Sequence, residues 1–357
     1  MQGPRGYARQ HGGSPPPGAV DFSAPANPLG PPPSLREAVR SCAEGEVYLR
    51  YPTALYPRLL DAVSGYLSVD ADQLLLLNGT AEALSLAPLA LGARNLVVVE
   101  PNFGDHRLLA EATGINYVPF PMTRGEEGFH ADFDELARLV RGLGGRTLVV
   151  MSRPNNPTGY AAPLRSVEDL ASALPNGAYL VVDEAFIELS GAEPARPAEG
   201  VLILRSLTKS LASPGLRLGA VVSADARALK ALASAAQAWP IDSIAACAYA
   251  KVLEDPSTRD HVRRGRELTL QLLPWFAGEL ARAGLRVYRG SAPFVLVQHP
   301  QVPNPGFQRS LAERGFYVRD ASSFAFLDST FSRISLLARE LDEALVRAVR
   351  EVLGRGA

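Results

Sequence analysis

From residue 74 to residue 222 the chain repeats one pattern: a short unbroken apolar run, then a longer amphipathic stretch. The runs fall at 74–77, 96–99, 117–120, 148–151, 179–182, 201–204 and 218–222. They are rich in Val, Ile and Leu and lack polar alternation, as strands covered on both faces do. Helical stretches lie between them at about 80–91, 104–113, 132–141 and 165–173. Strand–helix alternation of this kind requires right-handed crossovers and a mostly parallel central sheet with helices on both faces. The expectation is an α/β fold.

Beyond about residue 225 the pattern changes to a smaller C-terminal α+β domain. Helices are expected at about 226–237, 242–254, 257–283 (interrupted near Pro274), 304–314 and 340–353, and strands at 285–288, 294–297, 316–318 and 331–335. The chain divides into an N-terminal arm with the start of the small domain (1–45), a large domain (46–240) and a small C-terminal domain (241–357). Residues 12–33 are locally rich in Gly and Pro and read as an arm without regular structure.

Charge excludes several functions. Charged residues make up 20% of the 357 and the net charge is -1. No footprint for nucleic acid or an anionic membrane results. No apolar run reaches the roughly 18 residues of a membrane span, and Met1 to Gly6 carry no leader-like stretch. Cys42 and Cys247 make no disulfide framework, and no Cys/His spacing suits a metal. A reducing cytoplasm and no metal are the expectations.

In open parallel sheets ligands bind beyond the carboxyl ends of the strands, and polar motifs stand at those ends. Gly79-Thr80-Ala81 opens a helix, either as a phosphate site or as a capped turn. Phe103 stacks on a ring or simply packs. Asn156 offers an amide in a Pro-bounded turn that is also a sound structural turn. Asp183 ends an apolar run, where it holds a ring nitrogen protonated or caps the next segment. Lys209 is the sharpest signal. The chain has 36 basic residues and only three lysines, Lys209, Lys230 and Lys251. Arg stays protonated, whereas Lys can lose its proton and condense with an aldehyde. Ser206, Thr208 and Arg217 flank it with two hydroxyls and a guanidinium, a set that suits a phosphate-bearing aldehyde. Arg333, in a strand-like run, needs either an anionic ligand or an internal salt bridge. His11 and His106 are by base rate structural or solvated.

Taken in order, Asn78-Gly79-Thr80, Asn156-Pro157-Thr158-Gly159, Asp183-Glu184-Ala185 and Ser206-x-Thr208-Lys209-x4-Pro214-Gly215-Leu216-Arg217-x-Gly219 resemble the class I/II aminotransferases. These are pyridoxal-phosphate (PLP) enzymes of fold type I. Within them the chain is similar to the histidinol-phosphate aminotransferase and threonine-phosphate decarboxylase branch, through His11-Gly12-Gly13, Asp21 to Pro32, Phe186 and Val318-Arg319-Asp320. The resemblance implies that Lys209 joins the cofactor aldehyde and that Asp183 faces the pyridine nitrogen. It implies further that Asn156 bonds the ring oxygen, that Phe103 stacks on the ring, and that Gly79, Thr80, Ala81, Ser206, Thr208 and Arg217 cradle the phosphate. Tyr51 would reach the cofactor of a neighbouring subunit, which implies a homodimer. Arg333 would take the substrate carboxylate with Asn27 and Asn156 close by, and His11 and Arg319 the substrate's own phosphate. Phe186 stands where many aminotransferases have Tyr, and Arg153 departs from the small or amide residue often found there.

The implied chemistry is decarboxylation of a phosphorylated amino acid, O-phospho-threonine first, as in cobalamin biosynthesis. The alternative is transamination of histidinol phosphate or a related amino acid, which shares every cofactor residue. A ligand sensor of the same fold is a third reading, and no helix-turn-helix pattern appears before residue 20 or after 350.

Overall fold

The computed structural model describes residues 11–126 and 128–354; Met1 to Gly6, read above for a leader, lie outside them. Seven strands form the large sheet. Their order is Leu74–Leu77, Gly219–Val222, Val201–Ser206, Tyr179–Asp183, Thr147–Ser152, Asn95–Glu100 and Asn116–Pro121. Each overlaps one of the seven apolar runs. The sheet is parallel except for Gly219–Val222, which runs antiparallel to both neighbours.

Each strand feeds two cores. Val97, Val149, Leu180, Val182 and Ile203 pack into the cluster on one face. Leu96, Val98, Leu148, Val150, Val181 and Leu202 pack into the cluster on the other. The side-chain period of two thus divides every apolar run between two helical layers, which is why no polar residue interrupts them. Full burial of each such side chain contributes about 1.5–3 kcal/mol. Aspartates fix several helix starts: Asp132, Asp225 and Asp242 accept from the backbone N–H three residues on, each worth about 1 kcal/mol.

The smaller sheet has the order Val20–Phe22, Phe316–Asp320, Phe331–Ser335, Phe294–Gln298 and Arg286–Tyr288. Its first strand corrects the reading of residues 12–33 as devoid of regular structure. Val20 to Phe22 pair in parallel with Phe316 to Val318, and Pro33 starts the helix Pro33–Glu44 at the position that favours proline. The helix Pro256–Arg282 runs through Pro274 without the expected interruption. Proline removes one backbone donor. Here Leu272, Leu273, Phe276, Ala277 and Leu280 are buried on both sides of it and hold the helix against the small sheet.

The helices Pro33–Glu44 and Ser243–Glu254 place Leu35, Ala38, Ala245, Ala246, Tyr249 and Val252 in the core of the large sheet. They lie beyond the boundaries expected at 45/46 and 240/241. They also bring Cys42 and Cys247 together as a disulfide, with Cα atoms 6.0 Å apart. The reading that two cysteines make no disulfide framework gave no place to this single pair. The partners are 205 residues apart in sequence, so spacing alone gave no sign of the pair. Among the described residues no helix is long and apolar enough to cross a membrane.

Candidate active site

Lys209 lies on the one-turn helix Leu207–Ser210, directly after the strand Val201–Ser206. Burial pushes its amine down to about 8, helped by the Arg333 and Arg217 guanidiniums and opposed by Asp183 and Asp21. With that value roughly a quarter of the amine is neutral at pH 7.5, enough for a nucleophile. Lys209 Nζ stands 5.7 Å from the centre of the Phe186 ring. Phe186 packs edge-on against Phe294, centroids 5.2 Å apart.

Asp183 ends its strand buried, with Oδ1 accepting from the Ala185 N–H at 3.1 Å. Burial raises its carboxyl to about 7; Lys209 opposes the shift and Glu184 adds to it. A carboxylate so destabilised gains much from a cationic N–H partner.

Arg217 has φ +50, an unusual conformation for a side-chain-bearing residue, and its guanidinium crosses the start of the helix Thr80–Ala90. A Cβ on Gly79 would come within 2.5 Å of Arg217 Nη2, and Gly79 has φ +73. No side chain caps this helix. A guanidinium laid against the positive end of a helix is a cradle for an anion. Ala81, Arg217, His11 and Phe103 line one cavity of about 460 Å3. Ser206 is buried at the end of the strand that precedes Lys209, and the Thr208 hydroxyl is held by Leu218, donating to its carbonyl at 3.2 Å.

A second cavity, of about 330 Å3, shares His11 and Phe103 with the first and adds Arg319, Arg333, Asn102, Ser323 and Phe324. Arg333 is buried. Its Nη1 donates to Asn156 Oδ1 and its Nη2 to the Ser23 carbonyl, each at 2.5 Å, and its Nε has no partner. Among the described residues no carboxylate makes a salt bridge with it. Burial lowers its pKa to about 9, and the neighbouring Arg319 guanidinium contributes. The two arginines face each other across paired strands, Arg319 opposite Arg333. Like charges so placed repel, and an anion between them relieves both. Arg319 Nη2 donates to Ser323 Oγ at 2.6 Å and its guanidinium lies over Phe324.

The expected residues are thus drawn together, with two exceptions in manner. Asn27 spends its groups on the protein: its N–H donates to the Lys209 carbonyl and its Nδ2 to the Ser210 carbonyl, both at 3.0 Å, while Oδ1 accepts from the Leu29 N–H. It braces the Lys209 segment. Tyr51 is 70% exposed, stacks on Trp239 at 4.0 Å, and lines a separate depression that shares no residue with the two cavities.

Asp105 and Asn102 join the site in three dimensions, and His106 takes the structural role that the sequence offered. Asp105 meets His11 Nε2 at 3.5 Å, and His106 meets the Phe103 carbonyl at 3.0 Å, with burial lowering its imidazole to about 4. Asn102 is buried; its Oδ1 accepts from the Phe103 N–H and from Ser152 Oγ. These three hold the segment that carries Phe103. Their proximity to Phe103 in sequence was the available signal. Arg153, unassigned by sequence, is buried and ties three segments: Nε donates to the Ala162 carbonyl, and Nη1 to Glu184 Oε1 and the Glu193 carbonyl.

Known proteins are similar to this chain in sequence and fold over nearly its whole length. The chain is 29% identical over 353 residues to threonine-phosphate decarboxylase of Salmonella typhimurium, covering 94% of this chain and 91% of the relative. It is 30% identical over 342 residues to histidinol-phosphate aminotransferase 2 of Archaeoglobus fulgidus, covering 93% of each. Its fold matches histidinol-phosphate aminotransferase from Sinorhizobium meliloti, solved in complex with pyridoxal-5'-phosphate. That match has a TM-score of 0.79 at 20% identity, over 93% of this chain and 90% of the other. Residues 17–352 match the family described as aminotransferase class I and II. The chain therefore belongs to the class I and II aminotransferases, a PLP-dependent enzyme family of fold type I, in the branch that holds threonine-phosphate decarboxylases and histidinol-phosphate aminotransferases.

Proposed function

We propose that this chain binds PLP and acts on an amino acid that carries a phosphate, with removal of the α-carboxylate as the reaction and O-phospho-threonine as the substrate. The observation that carries the reading is the pair Arg333 and Arg319, set opposite each other in one cavity with His11. Such a cavity asks for two anionic groups. O-phospho-threonine has a carboxylate and a phosphate, whereas histidinol phosphate has the phosphate alone.

The residues fit the cofactor. Gly79 leaves the space in which Arg217 lies against a helix start, and the phosphate is assigned there with Thr80, Ala81, Ser206 and Thr208. Asp183 is assigned to the ring nitrogen, Asn156 to the ring oxygen and Phe103 to the ring face. PLP, when bound, supplies an electron sink for bonds at the substrate α-carbon. The chain decides which bond is aligned. Arg333, fixed by Asn156 and by the Ser23 carbonyl, orients the carboxylate, and a displacement of about 1 Å costs alignment. Asp183, buried near Lys209 and Glu184, would keep the ring nitrogen protonated. Lys209, with its lowered pKa, takes or returns the proton at the α-carbon. His11 and Arg319 hold the substrate phosphate, and Asn27 holds the Lys209 segment in register. Tyr51, exposed beside Trp239, is assigned to the contact between two copies in a homodimer.

The test is product analysis of PLP-loaded protein with O-phospho-L-threonine. Stoichiometric CO2 without any keto acid is expected. Strict dependence on 2-oxoglutarate, with histidinol phosphate the better substrate, sinks the proposal in favour of transamination.

A further inference from the structure

Behind the cofactor residues lies a third cavity, of about 360 Å3, that shares no lining residue with the two described above. Arg205, Arg259, Arg263 and Arg266 line it with Glu188 and Tyr66. Four arginines against one glutamate leave a lining charge of +3 in a chain whose net charge is -1. Arg263 is compensated from outside the cavity, by Asp260 and Glu267. The others are not compensated in full. Arg205 shares Glu184 with Arg153: its Nε lies 3.3 Å from Glu184 Oε2, and that buried nitrogen makes no hydrogen bond. Arg266 makes no ion pair among the described residues. Arg259, Arg263 and Arg266 stand at i, i+4 and i+7 on one helix, where like charges destabilise.

The cluster is also held in place. Arg259 donates to the Gly65 carbonyl and lies over the Tyr66 ring, 5.6 Å from its centre. Arg266 enters the lining from the helix Pro256–Arg282 and Arg205 from the strand Val201–Ser206. Guanidiniums lining one cavity suit a compact multivalent oxyanion, because each planar fork can donate two bonds to it. Phosphate carries about one and a half to two negative charges at pH 7, which a carboxylate does not match.

We propose that this cavity is a second anion site, separate from the substrate cavity, for inorganic phosphate or a small phosphorylated metabolite. Its location gives it reach: Arg205 contacts the residue after Asp183, and Tyr66 meets Ser210, the residue after Lys209.

The experiment uses PLP-loaded full-length protein in equilibrium dialysis against inorganic phosphate, with ionic strength held constant by chloride. Arg259→Gln/Arg266→Gln is compared with wild type and with Arg138→Gln/Arg141→Gln, which removes the same charge from exposed positions elsewhere. One phosphate is expected to bind about tenfold or more weakly in the cavity variant alone, with kcat and KM for turnover unchanged. Pyrophosphate should compete for that site. Superimposable isotherms for wild type and the cavity variant overturn the proposal. So does an equal loss in the Arg138/Arg141 control, which shows general charge attraction. Circular dichroism verifies folding, and Arg266→Gln alone carries the same comparison if the double variant does not fold.

Discussion

Gly265 sits in the middle of a 27-residue helix, where glycine costs about 1 kcal/mol relative to alanine. On helix propensity alone Gly265→Ala should stabilise. The structure reverses the sign. A Cβ at 265 would meet Asn27 Oδ1 at 2.1 Å and Cγ and Nδ2 at 2.6 Å. Asn27 cannot yield cheaply, because its Nδ2 bonds the Ser210 carbonyl and its N–H bonds the Lys209 carbonyl. Overpacking of this kind costs about 2 kcal/mol and the lost buried bond about 1. Set against the helix gain, the net is about 2 kcal/mol of destabilisation. Because the displaced residue braces Lys209, a shift of about 1 Å should lower kcat/KM about a hundredfold. The check is a double-mutant cycle by urea unfolding, with turnover measured in parallel. In an Asn27→Ala background the obstruction is gone, so Gly265→Ala should there stabilise by about 1 kcal/mol, a coupling of about 3. If Gly265→Ala stabilises the otherwise wild-type protein, or if the two changes add, the close approach does not govern this position and the bracing role of Asn27 is wrong.

Gly79→Ala drives a methyl group into Arg217 at a positive φ; PLP affinity should fall at least tenfold, and an unchanged dissociation constant by dialysis would remove Arg217 from the cradle. Lys209→Ala should abolish borohydride trapping of PLP and slow turnover about 100- to 10,000-fold; trapping at another lysine refutes the assignment. Asp183 has a folded pKa of about 7 against an ordinary 3.8, so cofactor-free protein holds that proton between pH 4 and 7. The stability it brings is present at pH 4 and lost as the pH rises through 7, at about 1.4 kcal/mol per pH unit; Asp183→Asn should flatten that part of a denaturation-versus-pH series, and an identical slope contradicts the burial argument. Arg333→Lys keeps the charge but loses the planar fork; KM for the phosphorylated amino acid should rise about tenfold and CO2 release per turnover should fall, whereas unchanged values place the carboxylate elsewhere.

The large sheet was legible because burial on both faces leaves an unbroken apolar run, a signal that needs no partner strand to be known. Its strand ends were legible because polar residues there interrupt an otherwise apolar grammar, and Lys209 stood out in a chain that uses arginine for charge. The strand Val20–Phe22 was not legible. Three residues carry no periodicity, and the strand exists only because Phe316 to Val318, almost 300 positions later, offer it an edge. The Cys42–Cys247 pair, the His11–Asp105 contact and the brace from Asn27 to Lys209 fail to appear in sequence for the same reason: each is a product of tertiary folding between remote segments. Arg153 is the converse case. Its identity was conspicuous in the sequence, and only its three buried acceptors explain it.

The electrostatics of the site have one further consequence for the reaction. Lys209 is depressed by burial and by two cations, Arg333 and Arg217. Those two side chains are also the ones assigned to the carboxylate and to the cofactor phosphate. Each anion that binds therefore cancels one cause of the shift, and the Lys209 amine becomes a stronger base as its ligands arrive. In the empty site a low pKa favours the neutral amine needed for attack on the aldehyde. In the filled site a higher pKa keeps the amine protonated, the form that can return a proton to the α-carbon once the carboxylate has left. Burial alone gives a fixed shift and could not serve both steps. Cations that are neutralised on binding give a shift that changes when the task changes, so on the proposed assignments the two arginines would let one lysine perform both steps.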